Sequence, residues 1–129
     1  MTKIRIFKGW WNVNDVKNNP NCLFIFGDND VKTGHGGQAI IRDLPNSIGI
    51  PTKKFPTLEP NSFYNDLEIE KNKMKISFAI KNIINESKKY KYIILPEEGL
   101  GTGLADLKNK APETFKYLES QIMFLKNTL

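Results

Sequence analysis

Two stretches of this 129-residue chain combine glycines, short polar side chains and acids in a way that suits phosphate chemistry. The first runs Gly27-Asp28-Asn29-Asp30 and on to Gly34-His35-Gly36-Gly37-Gln38-Ala39; the second is Glu97-Glu98-Gly99-Leu100-Gly101-Thr102-Gly103. Glycine accepts positive φ and lets a ligand touch the main chain, so that successive N–H groups can converge on an anion. A helix starting just beyond adds the positive end of its dipole. Two such loops on one rim would suit a diphosphate. Asp28 and Asp30 bring a second chemistry: a carboxylate beside a bound sugar can act as general base on an attacking water.

Other chemistries find less support. Neither loop carries the Gly-Lys-Ser/Thr of a Walker A motif. Gly34-x-Gly36-x-x-Ala39 matches the dinucleotide-binding pattern literally, but it begins well beyond Gly27, where the preceding strand is expected to end, and no acidic strand end follows at the required distance. His35 is the only histidine and Cys22 the only cysteine, which excludes a His/Cys metal cluster. Asp28, Asp30, Glu97 and Glu98 are the oxygen ligands left for Mg²⁺ or Ca²⁺, without diagnostic spacing. There is no Gly-x-Ser-x-Gly elbow. No metal and no cofactor is expected. Cys22, inside Cys-Leu-Phe-Ile-Phe, reads as a small apolar core residue.

The elements that must hold these loops follow from hydrophobic patterning. Residues 3 to 7 alternate polar and apolar and predict a half-buried strand. Asn14 is a candidate cap for one or two helical turns that Asn19-Pro20 would stop. Cys22 to Phe26 and Tyr90 to Leu95 are continuous apolar runs of strand length, of the kind covered on both faces, the first ending at Gly27. Gln38 to Asp43 predicts a turn or two of helix, Ser47 to Ile50 a short strand closed by Pro51, and Lys53 to Pro60 a surface loop. Glu68 to Lys88 is the clearest helix, with Ile69, Ile76, Ile80, Ile83 and Ile84 on one face. After the second loop, Pro112 suits a first helical turn, and Phe115, Leu118, Ile122 and Leu125 continue a helical stripe. Strands alternating with helices predict an α/β sheet with helices on both faces.

The length predicts a single domain over residues 1–129. With 40% hydrophobic and 26% charged residues the composition is that of an ordinary folded protein, not a disordered one. The first residues lack the apolar core of a signal peptide and no stretch is apolar enough for a membrane span, so the expected setting is the cytoplasm, with no membrane partner. The net charge of +5 rests on 19 basic and 14 acidic residues, and Arg5 and Arg42 are the only arginines. Lysines mainly solubilise, whereas arginine reads phosphates and bases. The basic balance still draws polyanions, which leaves nucleic acid open as a partner.

The stretch FGDNDVKTGHGGQAIIRDLPNSIGIPTKKFP, together with LPEEGLGTGLADLKNKAPETFKYLE, resembles a family of small, mostly uncharacterised bacterial and phage proteins. The resemblance spans roughly residues 22 to 119. That family in turn resembles macrodomains, which bind ADP-ribose on a mixed sheet between helices. The resemblance therefore implies a three-layer α/β/α fold with a mixed sheet and an ADP-ribose-type ligand. Gly27-Asp28-Asn29 corresponds to the macrodomain strand end Asn-Ala-Ala-Asn, with Asn29 at its last asparagine and the earlier one missing. Gly34, Gly36, Gly37 and Ala39 correspond to the first glycine loop. Gly99, Gly101, Thr102 and Gly103 correspond to the second, which contains Leu100. The Gly-Asp-Ile segment whose aspartate holds adenine has no counterpart; the chain has Gly9-Trp10-Trp11 there, so a tryptophan would have to stack on the base.

On that reading the loop N–H groups hold the diphosphate, Asn29 bonds ribose hydroxyls, and Asp28 or Asp30 is the candidate base for hydrolysis of an ADP-ribosyl or ribose-phosphate bond. The alternative for Asp28 and Asn29 is an Asx turn onto their own backbone. Gln38 and Arg42 follow the first loop as further ligand-binding candidates; Arg42 either grips a phosphate bidentately or is a solvated charge. Glu97 and Glu98 are expected to turn outward, away from a diphosphate. Two other functions stay open: a non-catalytic reader or sponge of an ADP-ribose-type signal, and a basic nucleic-acid-binding accessory protein.

Overall fold

A computed structural model describes residues 2–129. Four strands, β1 (Lys3–Phe7), β2 (Cys22–Asn29), β3 (Ser47–Lys53) and β4 (Tyr92–Pro96), form one sheet in the order β1-β4-β2-β3. The helices are α1 (Val13–Lys17), α2 (Ile69–Ser87), α3 (Leu107–Lys110) and α4 (Pro112–Thr128), with a 3-10 turn at Gly37–Ile41. The mixed sheet expected from the resemblance is not what forms: β1–β4, β4–β2 and β2–β3 all pair in parallel. Helical or 3-10 segments separate successive strands, and these crossovers let each strand start again from the same edge.

Both faces of the sheet are covered, which is why β2 and β4 read as unbroken apolar runs. Leu23, Ile25, Ile93 and Leu95 join a large cluster with Ile76, Ile80 and Ile83 of α2 and Leu118 and Leu125 of α4. Their alternates Phe24, Phe26 and Ile94 join a second cluster with Trp11, Val16 of α1, and Ala39 and Ile41 of the 3-10 turn. No helix of the described residues is long and apolar enough to cross a membrane.

Several boundaries move for physical reasons. The cap of α1 is Asn12, not Asn14: the Asn12 side chain accepts the Asp15 N–H while the Asp15 carboxylate accepts the Asn12 N–H, a reciprocal capping box. β2 runs past Gly27 to Asn29 because its polar end still pairs with β3. β3 runs through Pro51 to Lys53, and its edge position tolerates a residue without an N–H. The expected helix after Gln38 is a 3-10 turn.

Candidate functional site

Adjacent strands β2 and β4 send the chain to opposite faces of the sheet. After β2 it enters the first glycine loop and the Phe24–Phe26 side; after β4 it enters the second glycine loop and, through Leu107 and Ala111, the side of α2 and α4. Divergence at the carboxyl ends of neighbouring parallel strands opens a crevice. Here it is a cavity of about 500 Å³ lined by both glycine loops.

Of the predicted site residues, Gly27, Asp28, Asn29, Gly34, Gly36, Gly37, Gln38, Arg42, Gly101, Thr102 and Gly103 line this cavity. Among the described residues, the backbone N–H groups of Gly34, Gly36, Gly37, Gly101, Thr102 and Gly103 donate to no acceptor in the chain. They keep unused hydrogen-bonding capacity in residues that line the cavity.

Other predicted residues go elsewhere. Leu100 is 6% exposed and packs into the larger core cluster. Gly99, outside the cavity lining, uses its carbonyl to accept from Gln38. Asp30, a candidate base, does not line the cavity: its carboxylate accepts from the Tyr64 hydroxyl (2.5 Å) and from Lys75 Nζ (2.7 Å). Tyr64 is fully buried, and burial, followed by the bond to Asp30, pushes its phenol well above the usual range.

Asp28 does reach the cavity, but its Oδ1 accepts from Arg42 (2.6 Å) and from the Asn29 N–H (2.7 Å). The pair is enclosed, with side-chain exposures of 12% for Arg42 and 8% for Asp28. Arg42 also donates to the carbonyls of Gly34 (2.8 Å) and Thr33 (3.0 Å), and Asn29 Nδ2 donates to Thr33 O (2.8 Å). Arg42 and Asn29 therefore shape the first loop from beneath it, through its carbonyls.

Gln38 joins the two loops. Its Oε1 accepts the Gly27 N–H (2.8 Å), and its Nε2 donates to Glu98 Oε1 (2.7 Å) and to the Gly99 carbonyl (2.9 Å). Glu98 thus turns inward and lines the cavity, against the outward expectation, because the Gln38 amide offers it a donor. Glu97 is exposed and holds the Gly9 N–H at 2.7 Å. With these four carboxylates separately engaged, Asp28, Asp30, Glu97 and Glu98 do not assemble a cation site; among the described residues no three His, Cys, Asp or Glu side chains do. His35 pairs on the surface with Asp43.

The tryptophans divide: Trp11 is buried edge-on against Phe7 and Phe24, whereas Trp10 is 74% exposed and lines the cavity. Sequence reasoning missed Gly49, Thr52 and Lys53. An added Cβ at Gly49 would stand 2.7 Å from Asp28 Oδ2, so this glycine makes room for the carboxylate. Thr52 Oγ1 donates to the Asp28 carbonyl. Lys53, in the cavity wall, is only 8% exposed. The signal available was the Gly-Ile-Pro-Thr-Lys string itself, which places all three on one strand.

The model of a family described as a family of unknown function, DUF7831, matches residues 6–121. The chain belongs to this family. The matched span contains both glycine loops and every cavity-lining residue named above. No curated protein matches the chain, and no solved structure does.

Proposed function

We propose that this member of the family binds ADP-ribose or a related nucleotide diphosphate between its two glycine loops, on a three-layer α/β/α arrangement of the macrodomain kind, and that it acts as a reader without hydrolysing the ligand. The observation that carries the binding is the set of uncommitted N–H groups from Gly34, Gly36, Gly37, Gly101, Thr102 and Gly103 around one cavity. Main-chain donors of this kind favour an anion, and two loops of them favour a bridging diphosphate. The cavity volume lies within the range of roughly 300–1,000 Å³ usual for small-molecule sites. Trp10 offers an exposed ring at the rim on which a base can stack. The engagement of both candidate bases supports a reader: Asp28 would have to leave Arg42, and Asp30 opens elsewhere.

Calorimetric titration with ADP-ribose, ADP, AMP and NAD tests the binding. Gly101 is a poor site for an obstructing variant, because it has φ +74° and a Cβ there would lie 3.0 Å from Leu107 Cβ. Gly103 has no such conflict. Selective binding of ADP-ribose by the wild type, weakened at least about tenfold in Gly103→Val at unchanged melting temperature, is expected; that loss is about 1.4 kcal/mol. No binding at millimolar ligand would sink the proposal. An ADP-ribosylated protein left intact on prolonged incubation fits a reader, whereas turnover that disappears in Asp28→Ala would make the chain a hydrolase.

A further inference from the structure

Lys53 is the only charged residue among the buried ones described, and it lacks the carboxylate partner that several better exposed cations have. Arg42 is paired with Asp28, Lys54 with Glu68, and Lys75 with Asp30. Among the described residues no carboxylate pairs with Lys53; its Nζ donates to the Thr57 carbonyl at 2.7 Å and lies 4.8 Å from the centre of the Phe63 ring. A buried charge without a counter-charge is costly and is ordinarily paired or neutralised. Burial lowers the Lys53 pKa from its ordinary value, in keeping with that cost.

The location is specific. Lys53 is the register partner of Asn29, whose amide holds Thr33 at the start of the first glycine loop. Pro56 and Thr57, just after it, line the same cavity, and Pro56 Cβ would touch a side chain added at Gly34. The unpaired cation and the uncommitted N–H groups of the first loop therefore belong to one end of the cavity.

We infer that Lys53 is the specificity-determining residue of the site: its ammonium forms an ion pair with a phosphate of the ligand at the first-loop end of the cavity, so the site selects ligands by their phosphate charge. This rests on the proposed nucleotide-diphosphate reading for its preferred ligand, but it requires only a phosphate anion.

The test compares inorganic pyrophosphate, ADP-ribose and adenosine on the wild type and on Lys53→Met, which keeps an apolar stem against Phe63, with Lys53→Arg as a second variant. Expected is at least a tenfold loss of pyrophosphate and ADP-ribose affinity in Lys53→Met, no change for adenosine, and partial retention in Lys53→Arg. Lys53→Met without ligand should melt no lower than the wild type, since an unpaired buried charge is removed; a lysine needed only for structure would melt lower. If Lys53→Met fails to fold, Lys53→Arg decides: pyrophosphate affinity kept within tenfold supports the ion pair, and any larger loss in a folded Lys53→Arg overturns it. Pyrophosphate binding that depends on Lys53, with no binding of ADP-ribose, would uphold this inference and remove the ADP-ribose reading. Equal binding of both phosphate ligands by the wild type and Lys53→Met, or no pyrophosphate binding by the wild type, would overturn it.

Discussion

Gly49 and Asp28 are diagonal neighbours across the β2–β3 pair with no room for a methyl group between them. A Cβ at Gly49 would meet Asp28 Oδ2 at 2.7 Å and Asp28 Cβ at 2.8 Å, and Asp28 is the anchor of Arg42, which in turn holds the first loop by its carbonyls. Gly49→Ala is therefore expected to cost about 1–3 kcal/mol, as overpacking does, and to weaken ADP-ribose binding although residue 49 lines no part of the cavity. Gly36→Ala is the control: it has open space and ordinary backbone angles, and urea melts should show it near the wild type. Wild-type stability for Gly49→Ala would mean that Asp28 is free to move. The glycine loops were legible in the sequence because glycine advertises itself. Gly49 was not, because the need for it comes from a side chain on the neighbouring strand. Lys53 was hidden for the same reason: a lysine entering a proline-bounded loop reads as solvated, and only the approach of Phe63 and Thr57 buries it.

At the scale of elements, α4 starts without a cap of its own. Its N-cap position is Ala111, and the missing acceptor comes from the distant Asp66, whose carboxylate accepts from the N–H groups of Glu113 (2.9 Å) and Thr114 (3.0 Å) and from the Thr114 hydroxyl (2.9 Å). Burial acts to raise the Asp66 pKa, but these hydrogen bonds together outweigh it and hold the carboxyl below its ordinary value. A depressed carboxylate stabilises fully above its unfolded pKa, about 3.9, and loses that contribution as pH falls through the lower folded value. Asp66→Ala should cost about 0.5–2 kcal/mol near neutral pH, as loss of a cap does. The gap from the wild type should close below about pH 4, where the unfolded chain takes up the proton first. A gap unchanged between neutral pH and pH 3 in denaturant melts would rule the cap out. The helices were legible because α2 and α4 carry long apolar stripes that packing rewards. Where they start was less so: Pro112 marked the first turn of α4, but no local pattern announces an acceptor from another part of the chain.

For the whole molecule, the question is whether ligand binding follows from the total charge or from the site. The net charge of +5 is spread over a lysine-rich surface, and surface charges act through solvent, where salt screens them over about 10 Å at 0.1 M. The proposed contacts are of another kind: main-chain N–H groups on the cavity wall and one enclosed ammonium, which salt screens far less. Fold and site are joined here, since the parallel order β1-β4-β2-β3 turns the ends of β2 and β4 to opposite faces and so makes the crevice that the residues carrying these donors line. Affinity for ADP-ribose should accordingly fall by less than about tenfold between 50 and 500 mM NaCl, because few exposed charges take part. A single-stranded oligonucleotide held by surface lysines would instead lose affinity by orders of magnitude, each neutralised phosphate adding about 0.7 to the logarithmic slope. Parallel titrations at several salt concentrations separate the two. A shallow slope for ADP-ribose with negligible oligonucleotide binding assigns recognition to the cavity; a steep slope for both would transfer it to the basic surface and remove the glycine loops from the mechanism.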